Sequence, residues 1–313
     1  MWFAAVQDPA REVQAVSQEL VVALVNGLFR GSVYALVALG IVLVYRATGV
    51  FNFAQTEFGT TGLFAAFVAV EMWHWDYAPG LLFGISVAVV MGLVTERVVI
   101  RPLRHSSKVT LLVGTAGVAT TAIGIQFWLT NEQPIREMPP IVEGSIATVL
   151  GVAITYQKVI TVLVLIVVAL ALAAFFRSPS GLAIQAAQQE ATAAELVGIS
   201  VRRVSMMTWG IAAALGGLAG VLSGPNDTFT AAFLTFGGGA ALLPGLMAAV
   251  LAGMRSMPGA LAGGLLVGFV EQLGALSALA GLPGPKATIL FVFLLVVLLL
   301  RPEGLFTRKV VGA

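Results

Sequence analysis

The sequence contains no cysteine, which excludes a disulfide scaffold, a Cys-based zinc site and a thiol nucleophile. Charge is nearly as scarce. Lys, Arg, Asp and Glu make up 10% of the 313 residues and the net charge is +2, too small an excess to suggest a nucleic-acid partner. Histidine occurs twice, as His74 and His105, and no H-E-x-x-H pair is present, so a zincin-type centre is excluded as well. The phosphate cradle G-x-x-x-x-G-K-[ST] is missing, because GLPGPKAT around Lys286 has the wrong spacing. Nor is there a G-x-S-x-G elbow to present a nucleophilic serine. Together these absences argue against an enzyme. The first residues, MWFAAVQDPAREVQ, lack the basic start and short apolar core of a cleaved signal peptide, so membrane insertion is expected to rely on the spans themselves.

What the chain has in quantity is apolar surface. Hydrophobic residues make up 58% of it, against about 45–50% in soluble domains, more than a water-soluble fold can bury. The expectation is an all-α, polytopic bundle of about eight to ten transmembrane helices, forming a single domain over residues 1–313, since a span needs about 20 mainly apolar residues. Nine runs qualify: 20–45, 57–73, 80–95, 109–130, 159–176, 204–223, 240–253, 259–280 and 288–300. The seventh is short enough for a half-span or re-entrant element.

Basic residues set the orientation. With this count Arg46, Arg97, Arg101, Arg104, Lys108, Arg177, Arg202, Arg203, Arg255, Arg301, Arg308 and Lys309 share one side, while only Arg11, Arg136, Lys158 and Lys286 lie opposite. The positive-inside rule makes the crowded side, and the C-terminus with it, cytoplasmic. An odd number of spans then puts the N-terminus outside, where Asp8, Glu12 and Glu19 do not oppose it.

Within that frame one cytoplasmic stretch differs from the rest. Residues 177–203 form a polar island, and 186–196, rich in Ala and Gln, is expected to be one short helix stopped by Gly198 in the left-handed region. Its small residues suit a groove in a partner, although a solvated connector has the same composition. The external 131–158 segment is expected to be a loop, open to a partner or passive. After it, 224–236 and the triplet Gly237-Gly238-Gly239 favour irregular backbone near membrane depth, which is tolerated only inside protein or beside a watery cavity.

Acids in apolar runs cost about 2.5–3.5 kcal/mol on insertion scales, so Glu57 and Glu271 each need an account. Glu57, placed at the cytoplasmic mouth of the second run, is expected either to pair with Arg46 or to line a path with Asn52 and Gln55. Glu271 and Gln272 either bond between helices or meet a solute. Asn26, Arg30, Ser32 and Tyr34 put donors at near-helical spacing on the first run, facing a path or a neighbouring helix. Gly216/Gly220, Gly220/Gly224 and Gly264/Gly268 lie four apart and are read as close helix contacts.

Several stretches taken together resemble a known family: NGLFRGSVYALVALGIVLVYRATGVFNFAQTEF, ERVVIRPLR, the segment from Glu190 to Ile199 with its Glu-Ala start and later glycine, GMRSMPGALAGGLLVGFVEQL and RPEGLF. The chain is similar to permease subunits of ATP-binding-cassette importers, of the branched-chain amino-acid type, from Asn26 to Phe306. Where that family commonly has histidine after Asn52-Phe53-Ala54, this chain has Gln55. The resemblance implies a non-catalytic subunit of a bacterial or archaeal cytoplasmic membrane importer, with branched-chain or other hydrophobic amino acids as the first candidates for solute. Amides, urea and small carboxylates are served by relatives of this type. Implied partners are a second similar permease, two ATPase subunits that hold ATP and Mg, an external solute-binding protein and membrane lipid, with no cofactor on this chain. Gln189, Glu190, Ala193, Ala194, Leu196 and Gly198 would contact the ATPase. Asn26, Tyr34, Asn52, Gln55, Glu57 and Glu271 are the candidates for the translocation path or gate. The rival is a self-sufficient carrier or channel for a small polar solute.

Overall fold

A computed structural model describes residues 9–130, 136–150 and 152–306. The expectations resting on Asp8, on residues 131–135 and on Arg308 and Lys309 fall outside them. Helix α1 (Pro9–Thr48) is followed by α2 (Gln55–Phe67), which runs on through a π-helical turn (Val68–Met72). Helix α3 (Tyr77–Thr95) continues through a second π turn (Glu96–Ile100) into the short α4 (Arg101–Leu103), and α5 (Lys108–Leu129) follows. Then come strands β1 (Ser145–Val149) and β2 (Val152–Thr155), α6 (Tyr156–Phe175), α7 (Pro179–Gln189), α8 (Ala191–Leu196) and α9 (Val201–Ser223). The chain closes with α10 (Leu242–Leu251), α11 (Met257–Leu273) and α12 (Pro285–Leu300).

All nine expected runs are helical. Among the described residues, five segments are long and apolar enough to cross a membrane: Val16–Thr48, Tyr77–Leu103, Lys108–Leu129, Tyr156–Phe175 and Val201–Asn226. Helix starts follow side-chain chemistry. Ser107, Thr155, Ser178, Ser200 and Ser256 each accept a hydrogen bond from the backbone N–H three residues on, capping α5, α6, α7, α9 and α11.

The bundle is organised about α1, whose apolar window is 89% buried. Helix α11 runs antiparallel to it at backbone contact: a methyl group built on Gly264 would lie 2.4 Å from Cα of Ala35, and one on Gly268 would lie 2.2 Å from the Gly31 nitrogen. Helices α2 and α9 meet in the same way. A methyl on Gly220 would lie 2.0 Å from the Gly59 carbonyl oxygen and one on Gly224 would lie 2.4 Å from Leu63 Cδ1. All three glycine pairs read from the sequence are therefore close helix contacts. At the periphery α3, α5 and α6 bury only 28%, 22% and 11% of their windows.

The structure changes two expectations about backbone. The 131–158 connection holds a hairpin, with Thr148 opposite Ala153 and Val149 opposite Val152, because its β-branched residues favour extended pairing. The eighth run stops at Leu273 and is followed by a 3-10 turn (Ser277–Leu279). Helix α10 spans ten residues, about 15 Å or half the hydrocarbon core. Between α9 and α10 the chain has no long regular element, yet Phe229, Phe233 and Leu234 are fully buried. Residues 228–241 thus form the irregular segment expected at the glycine triplet; it re-enters the bundle at Phe229, Phe233 and Leu234, while Phe236 and Gly238 stay exposed.

Candidate functional site

The basic end of the bundle gathers Arg46, Gln185 and Arg255 around one cavity, places Lys108 beside Gly49 and sets Gly304 against Gly253. Here α7 and α8 project. Pro179 occupies the first turn of α7, where its missing N–H costs nothing. The single helix expected over 186–196 is instead broken at Glu190, which is extended (φ −150°, ψ 102°) and accepts from Thr192 N through Oε1 at 3.2 Å. An N-capping carboxylate competes with helix continuation, so an acid inside a good helix sequence starts a second helix. The far end closes with paired bonds, Ile199 N to Ala194 O at 2.9 Å and Gly198 N to Glu195 O at 3.0 Å. Gly198 sits at φ +86°, the left-handed stop read from the sequence.

Between these two ends α8 shows an apolar surface. Leu196 is 85% exposed and Val197 76%, and Ala193, Gln189 and Glu190 are exposed beside them. Ala194 is turned inward at 4% exposure, so of the two alanines expected to allow close approach only Ala193 is on the outer face.

A second constellation is buried. Residues 49–54 fold back beside α1, bringing Gln55 against Gly40, about two turns before the end of α1, and against Gly216, about four turns along α9. Asn52 Oδ1 accepts from Ala54 N at 3.0 Å, its amide donates to Gln55 Oε1 at 3.4 Å, and Gln55 Nε2 donates to the Ala212 carbonyl at 2.8 Å. Glu57 is therefore enclosed within the bundle rather than at an open end of α2, and it forms no ion pair with Arg46. Its carboxyl accepts from Gln126 Nε2 at 2.8 Å and from the hydroxyl of Thr235. The fold-back of 49–54, invisible in an apolar run, carries Glu57 past the arginine.

Gln126 is the hub of this centre. Its nitrogen also donates to Thr61 Oγ1 at 3.1 Å, while its oxygen accepts from Ala232 N at 2.9 Å. Thr60 Oγ1 accepts from Leu234 N at 3.2 Å, and the Thr56 and Thr235 hydroxyls are 2.7 Å apart. Since Thr235 gives its proton to Glu57, Thr56 donates to Thr235. Three elements, α2, α5 and the re-entrant segment, thus meet through these polar groups, beside ring contacts of Phe64 and Phe67 with Phe229. Gln126 could have been found as the one amide in the apolar stretch IGIQFWL; Thr235, one of many hydroxyls, carries no such signal. Gln126 and Thr61 also reach a groove of about 840 Å³ between α2, α3 and α5, apolar almost throughout.

Three polar residues of α1 form one stripe, each bonded to another part of the chain. Asn26 Oδ1 accepts from Lys158 Nζ at 2.8 Å, Arg30 pairs with Asp227 at 3.0 Å and donates to the Gly238 carbonyl at 2.8 Å, and Tyr34 donates to Glu271 at 2.5 Å. Ser32 turns back to its own helix, donating to Leu28 O. Glu271 thus makes the interhelical bond that the sequence left open. Tyr34, Asn52, Gln55 and Glu57 are all enclosed in this conformation, and Asn26 and Glu271 are partly open.

Residues 23–300 match the family described as branched-chain amino acid transport system, permease component. The high-affinity branched-chain amino acid transport system permease protein BraD of Pseudomonas aeruginosa is 33% identical, over 91% of this chain and 95% of its own length. The Escherichia coli K12 permease protein LivH is also 33% identical, over 90% of this chain and 94% of its own length. The solved structure of PsaBC from Streptococcus pneumoniae in complex with Fab covers 89% of this chain and 91% of that chain, at 14% identity and a TM-score of 0.48. A match that takes in nearly the whole helical bundle, and relatives one-third identical along their length, show that this multi-pass membrane protein belongs to the branched-chain amino acid transport permease family.

Proposed function

We propose that the chain works as one permease domain of an ATP-driven importer for branched-chain or other hydrophobic amino acids. The observation that carries this reading is α8: six residues, capped at both ends, exposing Leu196 and followed by the exposed Val197, at the basic end of a chain of this family. A short helix with an apolar face suits a groove in a partner. That partner is a cytoplasmic ATPase, present twice, and it holds the ATP and Mg. A second, similar permease completes the path, and an external binding protein delivers the solute. This chain carries out no chemistry. Gln189, Glu190, Ala193, Leu196 and Gly198 form or shape the contact, and Ala194 holds α8 to its own chain. ATP acts by favouring one arrangement of the bundle, to the extent of its differential affinity for the two. The buried Asn52, Gln55 and Glu57 gate the path by exchanging partners when the helices separate, while Asn26, Tyr34 and Glu271 serve its outer half.

Two measurements test this. Vesicles holding the chain with its co-encoded ATPases and binding protein should take up leucine only with internal ATP; uptake by the chain alone, driven by an ion gradient, would favour a secondary carrier instead. Because the sequence is free of cysteine, single cysteines at the exposed positions Glu143 and Thr192 should be labelled from opposite sides, Thr192 from the cytoplasm only. Labelling of Thr192 from outside removes the ATPase contact.

A further inference from the structure

The cavity at the basic end, about 460 Å³ between α1, α6, α7 and α11, has two unlike walls. One is apolar and includes Ala169, Leu172 and Ala173 of α6 with Leu261 of α11. It continues into the outer surface of α6, the least buried of the membrane-crossing helices. The other is lined by two arginines, the half-buried Arg46 and the exposed Arg255.

Among the described residues neither arginine has a carboxylate within ion-pair distance; the pairs that form are Arg30 with Asp227 and Arg101 with Glu96. Two like charges sharing one cavity repel, and the half-buried Arg46 has lost part of its water without gaining a counter-charge. The cavity is electrostatically incomplete, and what completes it is an anion. A small free anion would satisfy the arginines and leave the apolar wall wet. An amphiphile satisfies both walls, and one is always present at the edge of a bilayer.

We propose that this cavity binds an anionic phospholipid from the leaflet at the basic end. Its phosphate sits between Arg46 and Arg255 in charge-assisted hydrogen bonds, and an acyl chain lies along Ala169, Leu172 and Ala173. The same cavity is bounded by Gln185 of α7, whose Nε2 donates to the Phe176 carbonyl at 2.7 Å. A bound lipid therefore touches the ends of α1 and α6, the start of α11 and the base of the α7–α8 projection at once.

The test uses the assembled transporter in detergent, with native mass spectrometry counting retained phosphatidylglycerol. The wild type should hold it against excess phosphatidylcholine. The Arg46→Gln, Arg255→Gln double variant should bind it about tenfold more weakly, the loss expected when charge-assisted bonds are removed. Ala173→Trp keeps both charges, fills the apolar wall and should also release it; if the double variant fails to assemble, this variant decides alone. Inorganic phosphate in excess should not displace the lipid. Equal retention by the assembled variants, or displacement by phosphate, would overturn the proposal, the latter in favour of a free-anion site.

Discussion

Two of the seams of helix α2 are built differently. Against α9 it lies at backbone contact, with Gly59, Gly216 and Gly220 leaving no room for a methyl group. Towards α5 and the re-entrant segment it is held by side-chain hydrogen bonds through Glu57, Thr60 and Thr61, beside an apolar groove. Dispersion contacts at a glycine seam lose about a quarter to a half of their strength over a gap of about 0.5–1 Å, too narrow for an acyl chain to fill. Hydrogen bonds at a polar seam can be exchanged for water or solute at little net cost. The first seam is suited to hold, the second to open, and any motion about α2 should be concentrated on its α5 side.

The largest expected effect tests the closed seam. Gly220→Val forces a branched side chain into the Gly59 carbonyl and should cost about 3 kcal/mol or more, seen as loss of monodisperse protein and a lowered melting temperature. A normally stable variant would show that the α2–α9 contact tolerates separation, and the contrast would fail. On the open seam, Glu57→Leu strips Gln126 and Thr235 of an acceptor and should cost about 1–3 kcal/mol, whereas Glu57→Gln should keep stability near wild type and slow transport. Equal melting temperatures for the Leu variant and wild type would mean that these bonds do not close the seam.

Outside both seams, Gly198→Val meets open space but a backbone at φ +86°, a strain of about 1–2 kcal/mol confined to the end of α8. Leu196→Asp should leave stability unchanged. Both should lower solute-stimulated ATPase activity in the assembled transporter, and full coupling in both would detach α8 from the ATPase. The smallest effect separates Glu57 from Arg46. Arg46→Met combined with Glu57→Gln should change stability by the sum of the single changes, within about 0.5 kcal/mol. A larger coupling would restore the direct pair that the geometry lacks.

The same contrast explains what could be read in advance. Glycines four apart announce a close seam, since the spacing is the mechanism, and Gly198 announces its own backbone angle. Serine before α5, α7, α9 and α11, and threonine before α6, mark helix starts for an equally local reason. Glu57 was misplaced because its depth depends on how residues 49–54 return beside α1, and six residues at the edge of an apolar run can reverse or re-enter with the same composition. The break at Glu190 was hidden by strong helix formers on both sides. Thr235 acquires its importance only through a partner far away in sequence, on a helix it meets after the re-entrant segment has folded in.

Gln126 gives the polar seam a further property, because an amide has a direction and a carboxylate does not. With Gln126 donating at one end and accepting at the other, the centre counts donors and acceptors without fixing which helix supplies the acid. Exchanging the two, as Glu57→Gln with Gln126→Glu, preserves that count: residue 57 would donate across the seam and accept from Thr235, and residue 126 would accept from Ala232 and Thr61. The acid is therefore portable between α2 and α5, and a lineage could move it in two steps through a weakened intermediate. A relative with no acid at the position of Glu57 would be lacking the centre only if the position of Gln126 were also neutral.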